Sequence, residues 1–184
     1  MFRAWPKIPR LENEVYHITE KIDGTNAAII IQPWLSDDSQ PIPIEEVNTE
    51  EECYGIWAQS RTRLITPEDD NFGFAKWVKA NAEQLIADLG VSYHYGEWWG
   101  QGINRGYGLD HKRFSLFNPT KHSSVCYNVP MLSSVGAEDL LYAIQCEIEQ
   151  LKLGSYASPG YMRPEGLVVY AEKAKTYWKV IIDK

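Results

Sequence analysis

Seven short runs of strand-like sequence constrain the fold most: EVYHITE, NAAIIIQ, YGIWAQS, SYHYGEWWG, RFSLFN, EGLVVYAE and TYWKVIID. They are of strand length and rich in β-branched and aromatic residues, and several alternate apolar with polar. Only two stretches carry helical spacing. The first, Asn71 to Leu89, places Phe74, Trp77, Val78, Leu85, Ile86 and Leu89 near one face and stops at Gly90, a natural C′ residue. The second, about Ala137 to Leu153, aligns Leu140, Leu141, Ile144, Ile148 and Leu151, with Ser133 or Ser134 as the expected cap and Gly154 as the stop. Strands in two groups interrupted by helices predict an α+β fold built on antiparallel sheets. Both helical stripes read as core packing rather than cofactor surface.

At 184 residues the chain is expected to form one domain, residues 1–184, with a substantial core. The net charge of −7 argues against a general nucleic-acid binder, whose affinity rests on basic residues. The distribution of that charge weakens the objection. Leu35 to Glu52 holds seven acids (Asp37, Asp38, Glu45, Glu46, Glu50, Glu51, Glu52) and no Lys or Arg, so without it the body is neutral. This segment reads as an excursion between two strands, and local basic patches elsewhere remain open. Three cysteines, Cys53, Cys126 and Cys146, have no metal-ligand spacing, and their odd number argues against a disulfide framework. A reducing cytoplasm is the expected compartment. The opening MFRAWPKIPR lacks a signal-peptide core, and no apolar run approaches the roughly 20 residues needed to span a bilayer.

Charges interrupt the strand pattern in five places. EKIDGTN puts Lys21 and Asp23 between two apolar strands; the bland reading is an exposed hairpin corner with Asp23-Gly24 as the turn pair. QSRTRL sets Arg61 and Arg63 at a strand end, YGEWWG places Glu97 among aromatics, RPEGLVVY opens an apolar strand with Glu165, and YWKVII embeds Lys179. Unpaired buried charge costs several kcal/mol, so these groups demand partners. An internal pair, Glu165 with Lys179, would satisfy two of them. One pocket for a charged, metal-bearing ligand would satisfy all.

In this order the motifs resemble those of the covalent nucleotidyltransferases, the polynucleotide ligases and mRNA capping enzymes. EKIDGTN looks most like the ATP-dependent RNA ligases of the phage and RNA-editing type, and the resemblance spans Glu20 to Val180. It implies a nucleotidyltransferase domain of antiparallel sheets flanked by helices, with the nucleotide pocket between the sheets. Lys21 would attack the α-phosphate of ATP, expel pyrophosphate and carry AMP as a phosphoramidate. That needs a neutral amine, and at a reference pKa of about 10.4 only roughly one lysine in 2,500 is neutral at pH 7. A divalent metal on the phosphates, Mg²⁺ or Mn²⁺, suits the task.

The resemblance also implies roles for the other matched residues. Glu20 would meet the adenine edge, and Gly24 would let the backbone turn close to the nucleotide. Asp23 and Asn26 would orient metal-bound water or the polynucleotide end. Arg61 would clamp a phosphate, Glu97 contact the ribose and Phe117 stack on the purine. Glu165 would be the metal-associated carboxylate, and Lys179 would neutralise charge on the α-phosphate. Asp23 and Glu165 are thus the expected metal-site residues.

Two departures stand out. The last family motif carries two lysines one residue apart, and here Tyr177 occupies the first position; either Lys175 reaches the same phosphate or Lys179 acts alone. The chain also ends at Lys184 with no room for an OB-fold or other C-terminal domain, which a separate subunit would then supply. GQGINRGYGLDHKR matches no family motif. It is either a mobile loop that grips a strand or a surface turn. His17, His94, His111 and His122 have no metal-ligand spacing, and His94 reads as a sheet residue. The expected protein is a monomeric, cytoplasmic ATP-dependent ligase core acting on RNA rather than DNA ends, away from membranes. A minimal DNA ligase, a capping guanylyltransferase and a non-sealing nucleotide- or RNA-end-binding module are the alternatives.

Overall fold

In the computed structural model, which describes residue 8 and residues 10–35, 41–50 and 52–182, the strands flanking EKIDGTN do not pair with each other. The first, β1 (Val15–Lys21), and the second, β2 (Thr25–Pro33), enter different sheets. The hairpin-corner reading of Asp23-Gly24 is therefore corrected: these residues cross from one sheet to the next. The chain continues through β3 (Glu45–Asn48), β4 (Cys53–Ser60), β5 (Leu64–Ile65), α1 (Phe74–Ala80), α2 (Ala82–Leu89), β6 (Ser92–Gly100) and β7 (Lys112–Leu116). It then forms β8 (Tyr127–Asn128), β9 (Met131–Gly136), α3 (Leu140–Lys152), β10 (Gly166–Ala171) and β11 (Thr176–Ile181). Two compact units result, one from the described residues up to Ile22 and from Val129 onward, the other spanning Asp23–Asn128.

The first unit is an antiparallel sheet in the order β11-β10-β1-β9 with α3 packed on one face. Period-two alternation sends Tyr16, Ile18, Leu167, Val169 and Ala171 into a core with Ala143 and Leu151 of α3. The opposite face carries His17, Thr19 and Lys21 of β1, in register with Tyr170, Val168 and Gly166 of β10. Two details correct the sequence reading. Ser133 and Ser134 lie within β9, paired to Ile18 and His17, so α3 starts later, with Asp139 as its N-cap residue. Leu141, expected on the apolar stripe, is 80% exposed. Gly154 does end the helix, its N–H donating to the Leu151 carbonyl at 3.0 Å.

The second unit is a larger sheet in the order β3-β4-β2-β6-β7-β8, with β5 added to β4. Ala27, Ile29 and Ile31 of β2 and Ile56 and Ala58 of β4 pack against Phe74, Val78, Leu85 and Leu89 of the helices. The single helix expected over 71–89 is two, broken at Asn81, whose amide nitrogen donates to the Trp77 carbonyl at 2.7 Å. Asp70 anchors the start of α1, its carboxylate accepting from the Asn71, Ala75 and Lys76 N–H groups at 2.7, 2.8 and 3.1 Å. Gly90 ends α2, as its sequence position suggests. His94 is a buried sheet residue bonded to the Gly90 carbonyl, and burial pushes its pKa down.

The acidic excursion contains β3, zipped to β4 from Glu45↔Ile56 to Asn48↔Cys53. Its Asp37, Asp38 and Glu51, and most of the N-terminal MFRAWPKIPR, lie outside the described residues. Cys53, Cys126 and Cys146 are free, and burial pushes the Cys126 thiol up to about 11. Among the described residues no helix is long and apolar enough to cross a membrane.

Candidate active site

Lys21 is the last residue of β1 and sits opposite Gly166 of β10. Its ammonium donates to the Glu165 carboxylate at 2.6 Å, with side chains 24% and 17% exposed. The internal pair that forms is therefore not the Glu165–Lys179 alternative. The register explains why: Lys179 lies opposite Val168, two positions farther along β10, while Glu165 immediately precedes the residue facing Lys21. A Cβ at Gly166 would collide with the Val180 carbonyl, so only glycine lets β10 pass β11 beside that acid. Lys179 lies on the same face of the sheet as Lys21, two strands across and two residues along, roughly 12 Å between Cα atoms. Its ammonium pairs with no acid among the described residues.

Lys175 does not join them. It sits in the β10–β11 turn with φ 52°, beyond the Ala171↔Thr176 pair, with its ammonium 5.8 Å from the Tyr170 ring centroid. Lys21 is at the other end of β10, roughly 17 Å away along the strand. The Lys175 ammonium thus lies beside the residue that faces Tyr177 across the β10–β11 pair. Tyr177 stacks on Tyr170 with ring centroids 4.5 Å apart, continuing a row that includes His17.

Glu20, expected at the adenine edge, turns into the first unit and is 1% exposed. Its carboxylate accepts from the Ser155 hydroxyl at 2.6 Å and from the Tyr156 and Ala157 N–H groups at 2.8 Å each. This corrects its role: it anchors the segment after α3. Burial pushes its carboxyl above the usual range, against the pull of these donors.

In the second unit, the Asp23-Gly24 turn is held from two sides. The Glu97 carboxylate, 7% exposed, accepts from the Gly24 N–H and from the Asn26 amide, both at 3.0 Å. The Asn26 carbonyl oxygen accepts in turn from Arg61, at 2.9 Å from Nε and by a second, shorter contact from Nη2. On the other side the Asp23 carboxylate accepts from Asn104 and Arg105, each at 2.9 Å, and Tyr107 Oη accepts from the Asp23 N–H at 2.9 Å. Asn104 also donates to the Gly24 carbonyl at 2.6 Å. Gly24 itself is required by β6: a Cβ there would lie 2.5 Å from the Trp98 carbonyl and 2.7 Å from Trp99 Cβ. Close approach to β6 is by itself enough to require this glycine.

The face of this sheet opposite the helices is a row of polar and aromatic groups. Asn26 and Ala28 of β2 lie in register with Glu97 and Tyr95 of β6, and Ala28 also with Gln59 of β4. Asn26, Ala28, Gln59, Arg61, Tyr95 and Phe117 line a cavity of about 200 Å³. Phe117, 42% exposed, and Tyr95, 55% exposed, give it aromatic walls, and Arg61 puts a planar cation at its rim. Arg63 is absent from it, forked onto Asp69 at 2.7 and 2.9 Å. Tyr95 and Gln59 escaped sequence reading. Alternation in SYHYGEWWG, which puts Tyr95 on the face of Glu97, was the available signal for Tyr95. Among the described residues no group of three or more His, Cys, Asp or Glu is placed to hold a metal.

The sequence model of the RNA ligase family matches residues 14–181. A comparison with curated proteins finds no match. Among solved structures, a variant of a Naegleria gruberi RNA ligase with ATP and Mn superimposes at TM-score 0.55 and 14% identity, over 93% of this chain and 50% of its own. A second variant of that ligase, with AMP and Mn, gives 0.54 and 16% over 92% and 50%. An archaeal ATP-dependent RNA ligase gives 0.57 and 16% over 98% and 48%. The chain thus spans about half the length of these solved relatives, and at such identities the likeness is one of fold: the mixed α+β, antiparallel-sheet architecture of ligase nucleotidyltransferases. With the family match covering nearly all of its described residues, the chain belongs to the RNA ligase family.

Proposed function

We propose that this chain is the adenylyl-transferring core of an ATP-dependent RNA ligase, with Lys21 as nucleophile. The observation that carries the reading is the Lys21–Glu165 contact at 2.6 Å, at the lysine of the Lys-x-Asp-Gly motif in a chain of this family. The Nζ lone pair would attack the α-phosphorus of ATP, forming a P–N bond as the P–O bond to pyrophosphate breaks. Glu165, 2.6 Å from Nζ, would take the proton that Nζ must lose. Lys179, on the same face of the sheet, would meet negative charge developing on the α-phosphate. AMP would then pass to a 5′-phosphate, and a 3′-hydroxyl would displace it to seal the strand.

Arg61, Phe117 and Tyr95 support nucleotide binding at the cavity they line, with Asn26 steadied by Glu97. A ribose contact by Glu97 itself would use lone pairs beyond those given to Gly24 and Asn26. The relatives solved with ATP or AMP and Mn make ATP the proposed substrate and a divalent cation the proposed cofactor. The donor set fits a cation held mostly by phosphate oxygens, as Mg²⁺ usually is, with Glu165 as the protein oxygen. Asp23 fits less well as a direct ligand, because both its oxygens already accept from Asn104 and Arg105. When bound, such a cation withdraws charge from the triphosphate. The cytoplasm is the proposed compartment, in keeping with three free cysteines.

A second reading has one observation in its favour: Tyr177 occupies the expected lysine position and stacks on Tyr170. On that reading the chain forms lysyl-AMP and does not seal. Labelling with α-phosphate-labelled ATP or GTP, followed by a panel of nicked, single-stranded and splinted RNA and DNA ends, separates the cases. We expect labelling by ATP and joining at RNA 3′-hydroxyls. Labelling without joining selects the non-sealing reading, preferential joining of DNA selects a DNA ligase, and labelling by GTP alone selects a capping enzyme.

A further inference from the structure

The segment 100–108 lies outside the motifs matched in the sequence, yet its side chains converge on one dipeptide. Asn104, Arg105 and Tyr107 together make four hydrogen bonds to Asp23 and Gly24, from residues at least 80 positions away in sequence. The segment is built to present these groups. Asn104 and Tyr107 are non-glycine residues with φ of 43° and 52°, a conformation held only where the surroundings over-determine it. Tyr107 is 1% exposed and meets the Trp99 ring edge-on, centroids 5.1 Å apart, which fixes the hydroxyl beneath the Asp23 N–H. Ile103 is fully buried, and the loop closes on itself through Gly106 N–H to the Ile103 carbonyl at 2.8 Å and on the residue preceding β7 through Gln101 N–H to the His111 carbonyl at 2.9 Å.

We propose that this segment is a positioning clamp for the reacting lysine, with Arg105 and Asn104 as its positioning residues; the proposal rests on Lys21 being the nucleophile. Lys21 is two residues from the clamped aspartate, so fixing the Asp23-Gly24 main chain restricts where the end of β1 can carry Nζ. Restriction of a nucleophile to a near-attack geometry accelerates the chemical step without tightening ground-state binding, and misplacement by about 1 Å can cost roughly 100-fold. Arg105 on Oδ2 and Asn104 on Oδ1 together fix the orientation of the Asp23 carboxylate.

Two measurements test the clamp. The first is amide hydrogen exchange of residues 21–24 in the wild type, Arg105→Ala, Asn104→Ala and Tyr107→Phe, none of which needs catalysis. Exchange there should accelerate in all three variants while the α1–α2 core stays protected; unchanged exchange overturns the clamp. The second is single-turnover formation of the AMP adduct against ATP concentration. Arg105→Ala should slow the rate at saturating ATP by about 10- to 100-fold, with half-saturating ATP altered less than about 3-fold. Arg105→Lys should recover part of the rate, and Asp23→Asn combined with Arg105→Ala should be no slower than Arg105→Ala alone. Arg63→Ala, which breaks the Arg63–Asp69 pair of the same unit, should keep the wild-type rate. A wild-type rate per folded Arg105→Ala molecule, or a change confined to melting temperature or to half-saturating ATP, overturns the proposal. A wild type that forms no adduct overturns the assignment of Lys21 instead, and the exchange data still decide whether the clamp exists.

Discussion

Lys21 and Asp23 lie two residues apart in opposite mechanical settings. The lysine ends a strand of the four-stranded sheet and touches one acid, Glu165, through one ion pair. The aspartate and its glycine neighbour accept from Asn104 and Arg105 and donate their N–H groups to Tyr107 and Glu97, all within the other unit. On the proposed assignment, the group that would lose a proton and form a bond keeps a single exchangeable partner. The turn that delivers it is saturated. The contrast teaches that reactivity and rigidity can be assigned to adjacent positions when the chain crosses between two sheets there.

The largest expected effect comes from breaking the light side. Glu165→Ala should slow adduct formation by at least about 100-fold at neutral pH, the usual scale for losing a proton acceptor, with little change in melting temperature. A variant that adenylylates at the wild-type rate would remove Glu165 from the chemistry. On the firm side, Gly24→Ala forces a methyl to within 2.5 Å of the Trp98 carbonyl and should destabilise the fold by about 1–3 kcal/mol in denaturant titration. An unchanged midpoint would show that the turn yields more easily than its contacts imply.

Glu20 and Glu14 sharpen the comparison within the first unit. Glu20→Ala strands a buried hydroxyl and two N–H groups and should cost about 1–3 kcal/mol, whereas Glu20→Gln, which can still meet all three, should cost less than about 1 kcal/mol. Burial raises the Glu20 pKa in the folded state, so its contribution is full below the ordinary carboxylate range and is lost as pH rises through the raised value. Glu20→Gln should remove that decline. At Glu14 burial also works upward, but backbone donors at Lys173, Ala174 and Val15 outweigh it and hold the carboxyl low. Its contribution is therefore present above the ordinary range and lost as pH falls through the lowered value, which Glu14→Gln should abolish in urea melts at stepped pH. The smallest effect is reserved for Lys175→Ala: adduct formation should stay within about 2-fold of wild type, because the turn it occupies is roughly 17 Å from Lys21 along β10. A large loss would show that this lysine reaches the phosphate after all.

All seven strand-like runs form strands, because β-branched and aromatic periodicity is a local signal. β5 and β8, two residues each, carry too little periodicity to read, and β9 was hidden because its two serines look like a helix cap. The break at Asn81 was equally silent, since apolar spacing continues across it. For the site, residue types read correctly as demanding partners, but which partner is a matter of register. Sequence offered Glu165 with Lys179 as one internal pair, and only the pairing of Lys21 with Gly166 shows why Glu165 meets Lys21. Glu20 was read from its neighbour's motif, yet strand alternation puts successive residues on opposite faces, and so it faces the core. The clamp on Asp23 was out of reach for the same reason: its donors lie 81 and 82 residues away, in a glycine-rich stretch with no periodicity to read.

The most direct test incubates the protein with ATP and Mg²⁺ or Mn²⁺, weighs it intact and maps the modified peptide. We expect a gain of one AMP, lost in acid as a phosphoramidate should be, located on Lys21 and absent from Lys21→Ala. An adduct that persists in Lys21→Ala, or that maps to Lys179 or another lysine, contradicts Lys21 as the nucleophile.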